Sequence, residues 1–330
     1  MKLHKFAVPA VAAVALAAGA VPSAVSAAEV TLRGASCFPI GAPPGRPFEA
    51  VAKEINAKGK GVVQVKMLGG APAIGSPFTL TQRMAKGAYD IVGCTESYFG
   101  NVLPESPVLR LQEKSFAELR KNGAVAYVQK LLNAKGIHYV GRHHDFGPFH
   151  LYLSKPITGP DLKGLHLRVA PVYTAFFKKL GATVQRAPMP QIYTLMENGT
   201  VQGYGWPLRG YPPPWHKVTK YRVDPGFYHS SLHTLLNLRK WKSLSKKAQD
   251  IITGVVLARE GQVEGASETA QALNKKQRAW HAKGGMKTIT FNAADTKKWS
   301  DTARDAAWEE VIQRSPEHGP KLKALFTSGS

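Results

Sequence analysis

Arg168 is the residue in this chain best placed to act on a charged small molecule. It sits in Leu165-His166-Leu167-Arg168-Val169, where Leu165, Leu167 and Val169 alternate as on a β-strand and leave Arg168 on the opposite face. A guanidinium stays ionised and offers a planar fork of donors, so in a cleft it would hold a carboxylate bidentately. Such a charge-assisted contact is worth roughly 1.5–3 kcal/mol. The other cluster of capable groups is His143-His144-Asp145. Adjacent histidines on a strand or turn point apart, and no His-x-His or His-Glu-x-x-His spacing supports a metal. The chain also lacks a Gly-x-Ser-x-Gly elbow, a Walker loop and a dinucleotide fingerprint. Neither catalysis nor a cofactor is expected.

The elements that must position Arg168 follow from periodicity. Glu29 to Cys37 reads as a first strand. Phe48, Val51, Ala52 and Ile55 repeat at helical spacing until Gly59. Val63, Val65 and Met67 alternate as a second strand, and Tyr89 to Cys94 forms a third, after a short helix carrying Leu80 and Met84. The order β-α-β-α-β implies parallel pairing, with ligands held beyond the carboxyl ends of the strands. Residues 103–135 read as largely helical. Ile137–Val140 and His150–Leu153 read as two separate strands. Tyr173, Phe176, Phe177 and Leu180 fit a short amphipathic helix, and Gln202 to Trp206 returns as strand. From Ser245, an N-cap, no proline interrupts the chain before Gly284, which predicts one helix through Trp280. At 1.5 Å per residue it would span roughly 55–60 Å, longer than one domain.

Length and composition agree with an α/β protein of two domains. The expected division is domain I at 28–148 plus 237–270 and domain II at 149–236 plus 271–330. Residues 1–27 carry Lys2 and Lys5, an apolar run from Phe6 to Ala20 and the small residues Val25-Ser26-Ala27, the pattern of a secretory signal peptide. The formal charge of +22 falls to +20 without the two lysines. This excess is spread along the chain without a zinc-finger, zipper or RNA-binding pattern, so nucleic acid is not an expected partner. It gives a weak bias toward an acidic ligand. Cys37 and Cys94 end two predicted strands in an exported, oxidising setting. A disulfide and a pair of buried free thiols both remain open.

These segments together resemble the periplasmic solute receptors of TRAP transporters, related to the C4-dicarboxylate receptor. The resemblance runs through Leu162-Lys163-Gly164-Leu165, Leu167-Arg168-Val169, Gly181-Ala182, Pro188-Met189-Pro190, Tyr193, Val201-x-Gly203 and Pro207, with Tyr89-Asp90-Ile91 and Leu244-Ser245 at matching places. It implies a monomeric periplasmic receptor of two domains that close as a clamshell on an organic acid, which it hands to membrane permease subunits. A module feeding a sensor kinase or another transporter is the alternative. The resemblance also implies that Arg168 holds the ligand carboxylate. Two departures stand out: the register of a second binding arginine holds Pro148, and an asparagine is replaced by Trp206. Both favour a larger, flatter or less charged acid than a C4-dicarboxylate. Around Arg168 and Trp206, Thr95 and Tyr98 follow the third strand and Phe149 and Tyr173 supply aromatic walls, the resemblance places Tyr228 (or His229) near the register of a family cleft residue, and His144 is a further cleft candidate.

Overall fold

The computed structural model describes residues 1, 28–262 and 267–328, so the expected signal peptide lies outside the described residues apart from Met1. The first half of the sheet contains β1 (Val30–Ser36), β2 (Val63–Gly70) and β3 (Ile91–Cys94). The middle strand is β4 (Ile137–Leu153), followed by β5 (His166–Val169), β6 (Thr183–Arg186) and β7 (Gly203–Pro207). The last three strands are β8 (Tyr221–Asp224), β9 (Phe227–Asn237) and β10 (Lys287–Thr290). They form one sheet in the order β2-β1-β3-β9-β4-β7-β5-β6, with β8 joining β4 to β10. As the crossover argument requires, β1 pairs parallel with β2 and β3, and β5 pairs parallel with β6 and β7.

Between these parallel groups lie the two longest strands, β4 and β9, paired antiparallel from Ile137–Asn237 to Phe149–Phe227. The two strands expected on either side of 141–149 are thus one strand of 17 residues. It bends at register shifts that fall around Gly141, His144 and Pro148. His143 and His144 are consecutive strand residues and face opposite ways. His143 is buried against Phe48 and bonds Thr234, while His144 packs on the Phe146 ring. β9 is buried along most of its length, so it lacks the alternation that would mark a half-exposed strand.

The single long helix is also corrected. A helix covers Lys246–Gln262 and another covers Glu268–Lys283. Residues 263–266 lie outside the described ones, but Ser267 is extended (φ −66°, ψ 149°) and its hydroxyl caps the second helix by accepting from the Ala270 amide. The first helix packs Ile252, Val255 and Val256 with Leu32, Phe48 and Val51 over β1 and β3. The second buries His281 against Arg222 and Tyr152 of the other half. Region 103–135 likewise breaks into a 3-10 turn at Ser106–Arg110 and helices at Phe116–Lys121 and Ala124–Asn133, separated by Gly123 at φ 85°. The final helix, Gly319–Phe326, docks back on the first half, where the Glu113 amide donates to Phe326 O at 3.0 Å.

Cys37 and Cys94 are joined, which settles the two readings in favour of the disulfide. The parallel register of β1 on β3, Ser36 opposite Gly93, brings the next residues level.

Several histidines are buried without acidic neighbours. Burial, helped by the positive charge of Arg209 and Arg259, holds His144 down to about 3. Burial, with Arg222 beside it, does the same for His281. In the unfolded chain both titrate near 6.5. Below that pH the unfolded state binds more protons, so the stability these groups contribute is complete above pH 6.5 and is lost as pH falls from 6.5 toward 3. Each should cost about 1.4 kcal/mol per pH unit across that window. Thermal melts are expected to show a clearly lower Tm at pH 4.5 than at pH 7.5; an equal or higher value would contradict this.

Candidate ligand cleft

β5 is only four residues long, but it is an inner strand, paired with β6 on one edge and β7 on the other. Leu167, Arg168 and Val169 are all buried, Arg168 to 0% exposure. Its guanidinium is fixed by backbone oxygens and one phenol. Nε and Nη2 donate to the Ala187 carbonyl at 2.8 and 2.5 Å. Nη1 donates to the Tyr173 hydroxyl at 3.0 Å and reaches the Gly205 carbonyl at 3.4 Å. Tyr173 in turn donates to Gly205 O at 2.7 Å, and a Cβ at Gly205 would sit 2.6 Å from the Tyr173 ring, which is why a glycine occupies this strand position. Among the described residues no carboxylate lies within 4.0 Å of the Arg168 nitrogens. A fully buried cation held only by neutral groups is costly unless an anion completes it.

The residues just beyond the carboxyl ends of β1, β3, β5 and β7 meet at this guanidinium and line a narrow cavity. Six of the expected candidates are brought together on its wall: Arg168, Thr95, Tyr98, Phe149, Tyr173 and Trp206. Burial pushes the Tyr98 and Tyr173 phenols up while the charge of Arg168 pulls them back, so both hydroxyls stay protonated at neutral pH. The Thr95 hydroxyl is engaged, accepting from the Ser97 amide and donating to Glu96 at 3.1 Å. Glu96 is completely buried and faces His233 at 3.2 Å. Trp206 donates from Nε1 to Gly210 O at 3.2 Å and meets Phe38 and Trp215 edge to face, so its indole is a fixed wall.

Two candidates fall elsewhere. Tyr228 faces a different cavity, with His229; its hydroxyl donates to Ala303 O at 2.6 Å and its ring lies under Arg110 at 4.7 Å. The backbone at Tyr228 (φ 46°) turns the ring away from the cleft as β9 begins. His144 points into an outer groove beside Trp280, because it lies on the far face of β4. Neither lines the cavity at Arg168. Sequence reasoning passed over Ser97, Phe146, Arg209, Ser230 and Leu232, which also line the cavity. Arg209 had a signal available: it is the one cation in a rigid run, Pro207-Leu208-Arg209-Gly210-Tyr211-Pro212, leaving a strand end. Arg142, displaced from the register expected for a second arginine, stacks on Phe116 at 4.1 Å and pairs with Asp145 at 3.2 Å. Among the described residues no group of three His, Cys, Asp or Glu is arranged to hold a metal.

Residues 39–314 match the family described as bacterial extracellular solute-binding protein, family 7, the DctP family. The chain belongs to that family. This solute-binding protein has the fold of a TRAP periplasmic solute-binding protein from Desulfovibrio salexigens, solved with bound orotic acid. The TM-score is 0.78 at 21% identity, over 90% of this chain and 97% of that one. A similar protein from Rhodoferax ferrireducens, solved with bound malonate, superposes with a TM-score of 0.75 at 22% identity, over 89% and 96% of the two chains. A monocarboxylate 2-oxoacid-binding periplasmic protein of Nostoc is 24% identical over 246 residues, which is 67% of this chain and 66% of that relative. These neighbours are two-domain binding proteins, so the α/β clamshell expected from the sequence stands.

Proposed function

We propose that the protein is a monomeric periplasmic receptor that captures an organic acid in the cleft, with the acid's carboxylate on Arg168, and delivers it to a TRAP permease. The observation that carries this reading is a completely buried arginine with no acidic partner among the described residues. A ligand carboxylate would supply the missing charge and take the remaining guanidinium donor. Trp206, Phe149 and Tyr173 supply flat apolar walls, which suit the body of a small acid. Relatives solved with orotic acid and with malonate support an acid as the ligand class. The role is capture rather than turnover, as the family is one of solute-binding proteins.

Two lobes would close on the acid. They divide near the sequence-based boundaries, 28–148 plus 237–270 against 149–236 plus 271–330, with the docked helix Gly319–Phe326 assigned to the first lobe. The bends of β4 are natural hinges, and closure is favoured because the acid touches Arg168 from one lobe and Thr95 and Tyr98 from the other. Residues 1–27 would direct export and then be removed. A thermal-shift screen with mono-, di- and aromatic carboxylic acids, and with neutral sugars and amines as controls, tests the ligand class. One or more acids should raise the Tm by several degrees. Stabilisation by a neutral or cationic solute and by no acid would overturn the proposal.

A further inference from the structure

We propose that Arg209 is a second anchor for the same ligand, so that the solute is a bifunctional acid. One carboxylate would sit on Arg168, and a second acceptor oxygen, of a carboxylate or a ketone, on Arg209. This rests on the carboxylate reading of Arg168.

The turn that carries Arg209 is rigidly placed. The Leu208 amide donates to Pro148 O at 2.8 Å and the Arg209 amide to Phe146 O at 2.9 Å. Gly210 follows at φ +71°, with the Phe146 ring 2.9 Å from where a Cβ would stand. The side chain is therefore delivered to the cavity wall by the backbone and is only 7% exposed.

Its donors are largely unused. Nη2 reaches Asp145 Oδ1 at 3.4 Å, a long contact to an oxygen that already accepts from the Gly147 amide at 2.5 Å. Nε is buried without a partner, and Nη1 makes no hydrogen bond to any described residue. Asn274 Oδ1, also unpartnered, lies near Gly147 on the same side as Arg209 Nε, and Arg209 borders the outer groove beside Trp280 as well as the cavity. Arg168, by contrast, has its orientation fixed by three acceptors. A buried guanidinium with idle donors at a cavity wall is built to receive an acceptor from the cavity.

The spacing suits a small molecule. Arg168 touches Gly205, and Arg209 follows four residues later, so the Gly205 and Arg209 Cα atoms are at most about 14 Å apart. Trp206 and Phe146 line the wall between them, which leaves the middle of the ligand apolar or flat. The positive charge missing at Pro148 is thus supplied from a different strand end, and the ligand need not be poor in charge.

Matched acid pairs test this: butanoate against succinate, hexanoate against adipate, and benzoate against terephthalate. Calorimetry is run on the wild type, Arg209→Gln, Arg209→Lys and Arg168→Ala. In the wild type the diacid of at least one pair should bind ten-fold or more tighter than its monoacid. In Arg209→Gln that advantage should fall below three-fold, and Arg209→Lys, which keeps the charge and the pairing with Asp145, should retain part of it. An undiminished advantage in Arg209→Gln, an equal loss for both members of the pair, or a wild-type preference for the monoacid would overturn the role of Arg209. Equal binding of both members by Arg168→Ala and wild type would instead overturn the Arg168 reading itself.

Discussion

Arg168→Ala is expected to weaken binding of the stabilising acid by roughly thirty-fold to several thousand-fold, about 2–5 kcal/mol. The size follows from burial. The guanidinium is completely enclosed, so the carboxylate it receives is also taken out of water, and without the arginine that carboxylate has no countercharge. Tyr98 and Tyr173 would remain as hydroxyl donors, too weak to replace an ionic partner. Folding should survive, because the variant removes a buried charge that no acidic side chain compensates. Circular dichroism and a melting curve of the ligand-free variant check that point. Arg168→Lys keeps the charge but not the fork held by Ala187, and should recover only part of the affinity. Unchanged affinity in Arg168→Ala would remove this residue from the site.

Removing the disulfide should have the largest effect on the fold itself. Cys37 and Cys94 are 57 residues apart, and cross-linking a loop of that length stabilises by about 4 kcal/mol in the chain-entropy treatment. For a chain of this size a Cys37→Ser, Cys94→Ser double variant should melt on the order of 10 °C lower. The bond also fixes the ends of β1 and β3 immediately before Phe38 and Thr95, two residues of the cavity wall. Ligand affinity should therefore fall along with the melting temperature. Melting curves with and without a reductant provide the check, and coincident curves would show that the bond contributes nothing.

Much of this was legible in the residues. Alternation in 165–169 located β5 and set Arg168 apart, and the β-α-β order of the first hundred residues gave the parallel strands whose ends build the cleft. What escaped notice did so for physical reasons. β9 is buried along most of its length, which erases the period of two that reveals a strand. β4 runs through Gly147 and Pro148, residues that usually end strands, because bulges absorb them. The long helix was inferred from the absence of proline, but a serine in extended conformation starts a second helix at Ser267 without one. The resemblance places Tyr228 near the register of a cleft residue, and His144 belongs to the candidates around Arg168. A turn at Tyr228 and the two faces of β4 decide where those side chains point, and neither is encoded in spacing alone. Arg209 carries only the weak signal of a lone cation in a proline-bounded run, because the turn that brings it to the cavity wall is set by backbone bonds to Phe146 and Pro148.

The most direct test of the carboxylate clamp is calorimetry on the wild-type protein with the most strongly stabilising acid and with its neutral amide, at the same pH and ionic strength. The clamp predicts that converting the carboxylate to an amide, which removes the charge but keeps the shape, weakens binding about a hundred-fold or more. Equal affinity for acid and amide would contradict it.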